Sequence, residues 1–282
     1  MDVFLSALLL TGFLLIAGKW RADLLLQDAN LEAHAKISEV LRNYGLGVAG
    51  LFAATFGVML AWRRTKALME QARIAQEAHF TDLFTKAIEQ LGNKESMELR
   101  LGAIYALERI AKNSAVDHGP IMEILTAYVR EKPRLGNVEH TPAPGPDVQA
   151  VITALARRNV KFEKGNQLID LHGADLRGVN FGGSAWGSFF GADFSDANLE
   201  RARFRAVNLE RANFSGANLV RAYFGVGTRL VDSYLARANL QGATLNNSDC
   251  TGADLSNANL DGIAAYNADF SGAILAECSC KR

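Results

Sequence analysis

The chain has 282 residues, 30 Lys and Arg against 30 Asp and Glu, and 49% hydrophobic residues. That length suffices for more than one domain with a real core and excludes a disordered or peptide-scale scaffold. A net charge of zero excludes a global basic field for nucleic acid, and three cysteines, all beyond residue 249, cannot build a disulfide framework, which favours a reducing compartment.

Two uncharged, apolar runs come first, residues 3–18 and 45–62. Eighteen residues at about 1.5 Å rise cover about 27 Å, enough to cross a bilayer, with the shorter run at the lower limit. Trp20, Tyr44 and Trp62 stand at the ends of these runs, where amphipathic rings prefer the headgroup region. The run 3–18 has the length of a signal-peptide core, but Met1-Asp2 ahead of it carries no basic residue, and no small-x-small site precedes Lys19. The expectation is a retained transmembrane helical hairpin over residues 1–62. Ala49, Ala53 and Gly57 recur every fourth residue as a small-residue face on which a second helix packs. Arg63, Arg64 and Lys66 crowd the edge of the second run and place the C-terminal bulk in the cytoplasm. GLGVAG at 45–50 matches GxGxxG formally, but it opens an apolar helix instead of following a strand, so its glycines read as membrane packing.

Residues 63–132 read as an α-helical adaptor. Helix formers without Gly or Pro run to Leu91, where Gly92-Asn93 is expected to end the helix in a left-handed turn. Residues 97–112 set Leu101, Ile104, Tyr105, Leu107 and Ile110 along one face. A further helix opens at Pro120, with Ile121, Leu125, Tyr128 and Val129 inward. Helices joined by a short turn resemble a HEAT or armadillo layer. Arg100, Glu108, Arg109, Asp117, His118 and Arg130 are read as solvated or ion-paired groups. Residues 133–167 form a Pro-rich linker and a short capping helix. Four of the five prolines fall in 133–146, Asp147 is a candidate N-cap, and Val148, Val151, Ile152 and Leu155 need something to cover.

From 168 a five-residue period takes over: HGADL, RGVNF, SDANL, ERARF, RAVNL, ERANF, SGANL, and later ARANL, QGATL, TGADL, SNANL. A bulky apolar residue holds every fifth position and a small one sits two before it. Neither 3.6 nor 2.0 divides five, so no single helix or flat strand buries these positions together. A chain that turns a corner every five residues does, and four sides close a coil of about twenty residues that stacks at about 4.8 Å. Phe194 then falls over Phe214, Phe204 over Phe224 and Leu199 over Leu219. GVGTRL inserts one residue after Phe224, with Gly225 and Gly227 suited to a bulged corner, and the phase shifts by three around Trp186 and Phe189. Cys250 and Cys280 take the bulky inward position and Cys278 the small one, as buried apolar substitutes.

These repeats resemble the pentapeptide-repeat family, whose motif is A(D/N)LXX. The resemblance spans 168–282 and implies an all-β right-handed quadrilateral β-helix. The fold class expected is therefore multi-domain, a helical N-terminal part followed by that β-helix, similar to membrane-bound members of the family. Gyrase-inhibiting members resemble duplex DNA through a strongly acidic surface. From residue 170 this chain has twelve acidic and ten basic side chains, and its arginines work against such mimicry.

No nucleophile, base and orienting group come together, and neither HExxH nor GxxxxGK[ST] occurs. The reading is non-enzymatic, with no cofactor and no metal: a scaffold in the bacterial inner membrane, multi-pass, presenting a rigid β-helix to a cytoplasmic protein partner. A gyrase- or topoisomerase-directed protective or inhibitory role is the alternative, and nucleic-acid binding is not expected. The candidate interaction surface is Arg201, Arg203, Arg205, Arg211, Arg221 and Arg237. Leu275 and Cys280 form a candidate edge for homo-oligomers, which the membrane helices also allow.

Overall fold

A computed structural model of the chain describes Ala17, Trp20 and residues 31–132, 144–163, 169–182 and 187–281. The run 3–18 lies outside the described residues apart from Ala17, as do Pro-rich residues 133–143 and Trp186. The chain divides into two compact units, Met1–Ala78 and His79–Arg282.

In the first unit the described chain is almost wholly one helix, part of α1 (Leu31–Leu91). By length and composition α1 is the one helix among the described residues long and apolar enough to cross a membrane, and none of its most apolar window is buried. Leu46, Leu51, Phe56, Val58 and Leu60 all face outward. The hydroxyl of Thr55 donates back to the carbonyls of Leu51 and Phe52 at 3.0 and 3.1 Å, so the helix satisfies its polar side chain internally, as a hydrocarbon environment requires. Lys66 Nζ lies 5.5 Å from the centre of the Trp62 ring at the end of this stretch. The described residues thus hold one candidate span and do not support the two-span hairpin. Gly45, Gly47 and Gly50 sit inside the helix with no strand ahead of them.

In the second unit the end of α1 joins a helical layer through Phe80, Phe84, Ala87, Ile88 and Leu91. Gly92 does not adopt the expected left-handed conformation. Instead, the Asn93 side chain accepts the N–H groups of Glu95 and Ser96 at 2.9 and 2.8 Å and turns the chain into the next helix. The layer consists of α2 (Met97–Asn113), α3 (His118–Arg130) and α4 (Pro146–Ala156), which pack on one another. Ser96 caps α2, its hydroxyl accepting the N–H of Leu99 at 3.2 Å. Ile104, Leu107 and Ile110 are buried as the spacing requires, but Tyr105 is 53% exposed. Ala103 and Ala111 take the inner side in its place, because they extend the stripe of 104 and 107 by whole turns while 105 falls a further 100° round. α3 starts at His118, two residues before Pro120, whose missing N–H belongs to the unpaired first turn.

The rest of the unit is a stack of coils held by parallel pairings. Paired strands β1 (Gly187–Ser188) with β3 (Val207–Asn208), and β2 (Arg203–Phe204) with β4 (Tyr223–Phe224), are its longest regular stretches, and single-residue bridges continue the pattern. Register is set by pairs such as Leu171 N–H to Asp193 O at 2.7 Å and Asp193 N–H to Ile169 O at 2.9 Å. Partners stand 20 residues apart in regular coils, as in Asn198↔Asn218. They stand 23 apart on the coil that contains residues 183–186, as in Asp170↔Asp193. Across GVGTRL they stand 21 apart, as in Asn218↔Asn239. Both irregularities fall where the phase of the sequence shifts.

The lumen is filled. Phe194 stacks on Phe214 with centroids 4.9 Å apart and rings 5° from parallel. Phe204 stacks on Phe224 at 4.9 Å and 10°, and Phe181 continues that column onto Phe204 at 4.5 Å. Phe189 is buried against Phe181 at 5.2 Å.

Candidate interaction surface

The bridge residues form four outward columns. Asp170, Asp193, Asn213, Tyr234, Asp254 and Ile274 mark the first side; Asp175, Asn198, Asn218, Asn239, Asn259 and Ser279 the second. Asn180, Arg203, Tyr223, Thr244 and Ala264 mark the third, and Ser188, Asn208, Arg229, Asp249 and Asp269 the fourth. Asp and Asn recur here because the side-chain oxygen accepts the backbone N–H two residues on, as Asp193 does from Ser195 at 2.9 Å. Along the second side the amides also bond coil to coil, Asn218 Nδ2 to Asn198 Oδ1 and Asn259 Nδ2 to Asn239 Oδ1, each at 3.0 Å.

Each corner is a tight turn, closed by bonds such as Ala202 N–H to Leu199 O at 2.9 Å, with its third residue at positive φ. That geometry is the type II turn, in which glycine is cost-free and other residues carry strain. Arg201, Arg211, Arg221 and Arg237 occupy that third position, with φ of 57°, 55°, 56° and 60°.

The six candidate arginines are all exposed, but they do not form one stripe. Arg201 and Arg221 stack on the corner between the second and third sides, Arg203 is the centre of the third, and Arg205 opens the turn that leaves it. Arg211 lies on the corner between the fourth and first sides and Arg237 between the first and second. Four of the six therefore frame one side. Glu200 lies 3.7 Å from Arg201.

Ala49, Ala53 and Gly57 are exposed on α1, and a side chain built on Gly57 would meet nothing within 4 Å. Leu275 is 46% exposed and Cys280 is exposed, not buried, because both belong to the last described coil, whose outer face no described residue covers. The N–H groups of Ala265, Phe270, Leu275 and Cys280 have no backbone acceptor among the described residues, whereas Leu245, Cys250, Leu255 and Leu260 one coil earlier each bond to the coil above. Cys250 is buried, and that burial, together with Asp249 and Asp269, pushes its thiol up to about 12. It is an inert space-filler.

One feature of the unit was not expected. Asp147 is not the N-cap of α4. Gly145 holds that place, Pro146 follows it, and the Asp147 carboxylate turns inward with 3% side-chain exposure. Its Oδ2 accepts from Arg100 Nε at 3.1 Å, Tyr128 OH at 2.6 Å and Lys132 Nζ at 2.6 Å, while Oδ1 accepts the Val148 N–H at 2.9 Å. Burial alone would raise this carboxyl, but the bonds from Lys132 and Tyr128 outweigh it and hold it at about 2. A pin thus joins α2, α3 and α4. The first coil is closed by polar contacts from the helical layer. Arg130 Nη1 donates to the Asp170 carbonyl at 2.8 Å, Gln149 bonds both backbone groups of Asn180, and Arg158 donates to the Ser188 carbonyl. Lys112 pairs with Glu108 at 2.6 Å on α2.

Residues 188–225 and 233–272 match the family described as pentapeptide repeats, in 8 copies. Over these residues the chain carries a pentapeptide-repeat domain. The pentapeptide-repeat domain follows a helical N-terminal region and takes the right-handed quadrilateral β-helix of that family. Among solved structures it is similar to Rfr23, a pentapeptide repeat protein from the cyanobacterium Cyanothece 51142, at 27% identity over 40% of this chain and 88% of that one, with a TM-score of 0.25. HetL from Nostoc sp. strain PCC 7120, involved in heterocyst differentiation regulation, matches at 25% identity over 39% of this chain and 59% of its own, with a TM-score of 0.17. QnrB1, a plasmid-mediated fluoroquinolone resistance protein, matches at 16% identity over 40% and 65%, with a TM-score of 0.22. No curated protein sequence matches the chain.

Proposed function

We propose that this pentapeptide-repeat protein is a membrane-anchored, non-enzymatic scaffold, in which α1 is the anchor and the β-helix is a rigid surface offered to a cytoplasmic protein partner. The observation that carries this reading is the apolar stretch of α1, exposed on every side, with its hydroxyl satisfied inside the helix. In water such a surface is a liability, and in hydrocarbon it is stable. One span is sufficient for the proposal. The filled lumen supports the non-enzymatic part, since stacked Phe and Leu side chains occupy the interior where a substrate would bind. The reading places the helix in the bacterial inner membrane with the repeats on the cytoplasmic side, which Arg63, Arg64 and Lys66 crowded beside Trp62 support.

The test has two parts. Membrane fractionation of the native host should recover the chain with the bilayer, resistant to carbonate extraction, and protease added outside should leave the repeats intact. Photo-crosslinking from exposed positions of the β-helix should capture a protein partner or a second copy; recovery in the soluble fraction, or no adduct, would sink the proposal. A gyrase-directed role gains no support from the arginine-framed third side, and the full chain should leave supercoiling by gyrase unchanged.

A further inference from the structure

The third side of the β-helix differs in charge from the other three. Its column reads Asn180, Arg203, Tyr223, Thr244, Ala264, with no acidic residue. The first column holds Asp170, Asp193 and Asp254, the second Asp175, and the fourth Asp249 and Asp269. Around the third side stand Arg201, Arg203 and Arg205 on one coil and Arg221 on the next, and among the described residues no acidic side chain is paired with Arg203, Arg205 or Arg221. Tyr223, 43% exposed, is the coil neighbour of Arg203 and gives the patch an apolar floor.

We propose that this side binds a short acidic peptide segment in extended conformation. The proposal rests on the scaffold reading above and supplies the chemistry of its partner. Arg203 stands at the centre of the side, with Arg201, beside Glu200, and Arg205 at the corners on either end of it, so three guanidiniums of one coil flank a face that one extended segment can cross. A strand with carboxylates at every second position turns them all to one face and meets these guanidiniums there, in the planar, two-pronged geometry that arginine offers and lysine does not. Arg221 lies one strand spacing away, about 4.8 Å, and reaches the same strand from its flank. The patch is only two coils high; beside it the second column reads Asn198 and Asn218 and the fourth Asn208 and Arg229, while the aspartates of the fourth, Asp249 and Asp269, stand on later coils. A long polyanion such as duplex DNA would run over those aspartates and be repelled, whereas one extended segment would not.

The experiment uses the full chain in detergent micelles and fluorescence anisotropy at low salt. The probes are a labelled peptide with glutamate at alternate positions, a second of identical composition with its glutamates contiguous, and a single-stranded oligonucleotide. The alternating peptide should bind several-fold more tightly than either of the others. Arg203→Ser or Arg205→Ser should each weaken it about tenfold, the worth of one charge-assisted contact. Arg211→Ser and Arg237→Ser, on other corners, should leave affinity unchanged, and all four variants should keep the parent melting temperature. Equal binding of the two peptides, preference for the oligonucleotide, or equal losses from Arg211→Ser and Arg203→Ser would overturn the assignment. If the peptides fail while crosslinking still captures a partner elsewhere on the rod, this inference falls and the scaffold reading stands; if crosslinking fails while the alternating peptide binds, the reverse holds.

Discussion

Gln149 stands to Asn180 as one strand residue stands to another. Its Nε2 donates to the Asn180 carbonyl at 2.7 Å, and its Oε1 accepts the Asn180 N–H at 2.9 Å. A primary amide has the donor and acceptor of a peptide group, so a side chain from α4 supplies on the third side what an earlier coil would have supplied. With Arg130 and Arg158 it closes an edge that would otherwise offer unpaired backbone to another chain.

Replacing Gln149 with Leu should therefore destabilise the second unit by about 1 kcal/mol, the net worth of such bonds at a partly solvated site. Amide exchange at Asn180 should speed up far more than exchange at Asn218, in the middle of the stack. Equal exchange at the two positions would contradict the capping role.

Asp147 should matter more. Asp147→Asn leaves Arg100 and Lys132 without their carboxylate, and breaking a buried ion pair from one side costs about 3–5 kcal/mol. The pH dependence has a definite sign. The carboxyl is held below its ordinary value of 3.8, at about 2, so its stabilisation is fully present above that ordinary value and is lost as pH falls toward the folded value. The loss amounts to about 2 kcal/mol. Thermal unfolding between pH 5 and pH 2 should show this slope in the parent and a flatter one in Asp147→Asn.

Phe214→Ala should cost about 3–5 kcal/mol by removing a ring stacked in the lumen, and Phe214→Asp more, since it buries a charge with no partner. Circular dichroism melts of both variants measure this; a parent-like melt for Phe214→Asp would contradict the inward assignment.

The corners make a matched pair of tests. Gly252 has φ of 69°, so Gly252→Ala strains the corner and also pushes the Asp232 carboxylate aside. It should destabilise by at least 1 kcal/mol. Arg237→Gly relieves a strained φ of 60° and should be neutral to slightly stabilising. Denaturant midpoints for the two variants should move in opposite directions or, for Arg237→Gly, not at all.

No described residue accepts the N–H groups around Leu275, and we propose that a second copy of the chain does so. Leu275→Asp should shift the sedimentation profile of the full chain toward the smaller species without lowering its melting temperature. An unchanged profile with folding intact would count against this edge.

What was readable in the sequence follows from how local each feature is. The five-residue period, the one-residue insertion at GVGTRL and the three-residue shift near Phe189 are all matters of spacing, and the coils obey them because a coil has no other way to keep Phe and Leu inside. The Asp147 pin depends on Arg100, Tyr128 and Lys132, which approach only after the helices pack, and no spacing encodes that. One local signal did bear on it. Pro146 directly before Asp147 favours Pro in the first helical position, which makes Gly145 the cap and leaves the carboxylate to turn elsewhere. The arginines were readable as exposed but not as a group, since membership of a side depends on corner count. Counting places four together and sends Arg211 and Arg237 away.

The twenty-residue register has a consequence for how such a rod changes length. Every partner of a regular coil lies in the coil directly before or after it, so duplicating one whole coil would add a single strand spacing and leave each existing bond intact. Reach is thus adjustable in fixed increments, while any insertion that is not a full lap must be absorbed at a corner, as Gly225, Gly227 and Thr228 absorb theirs.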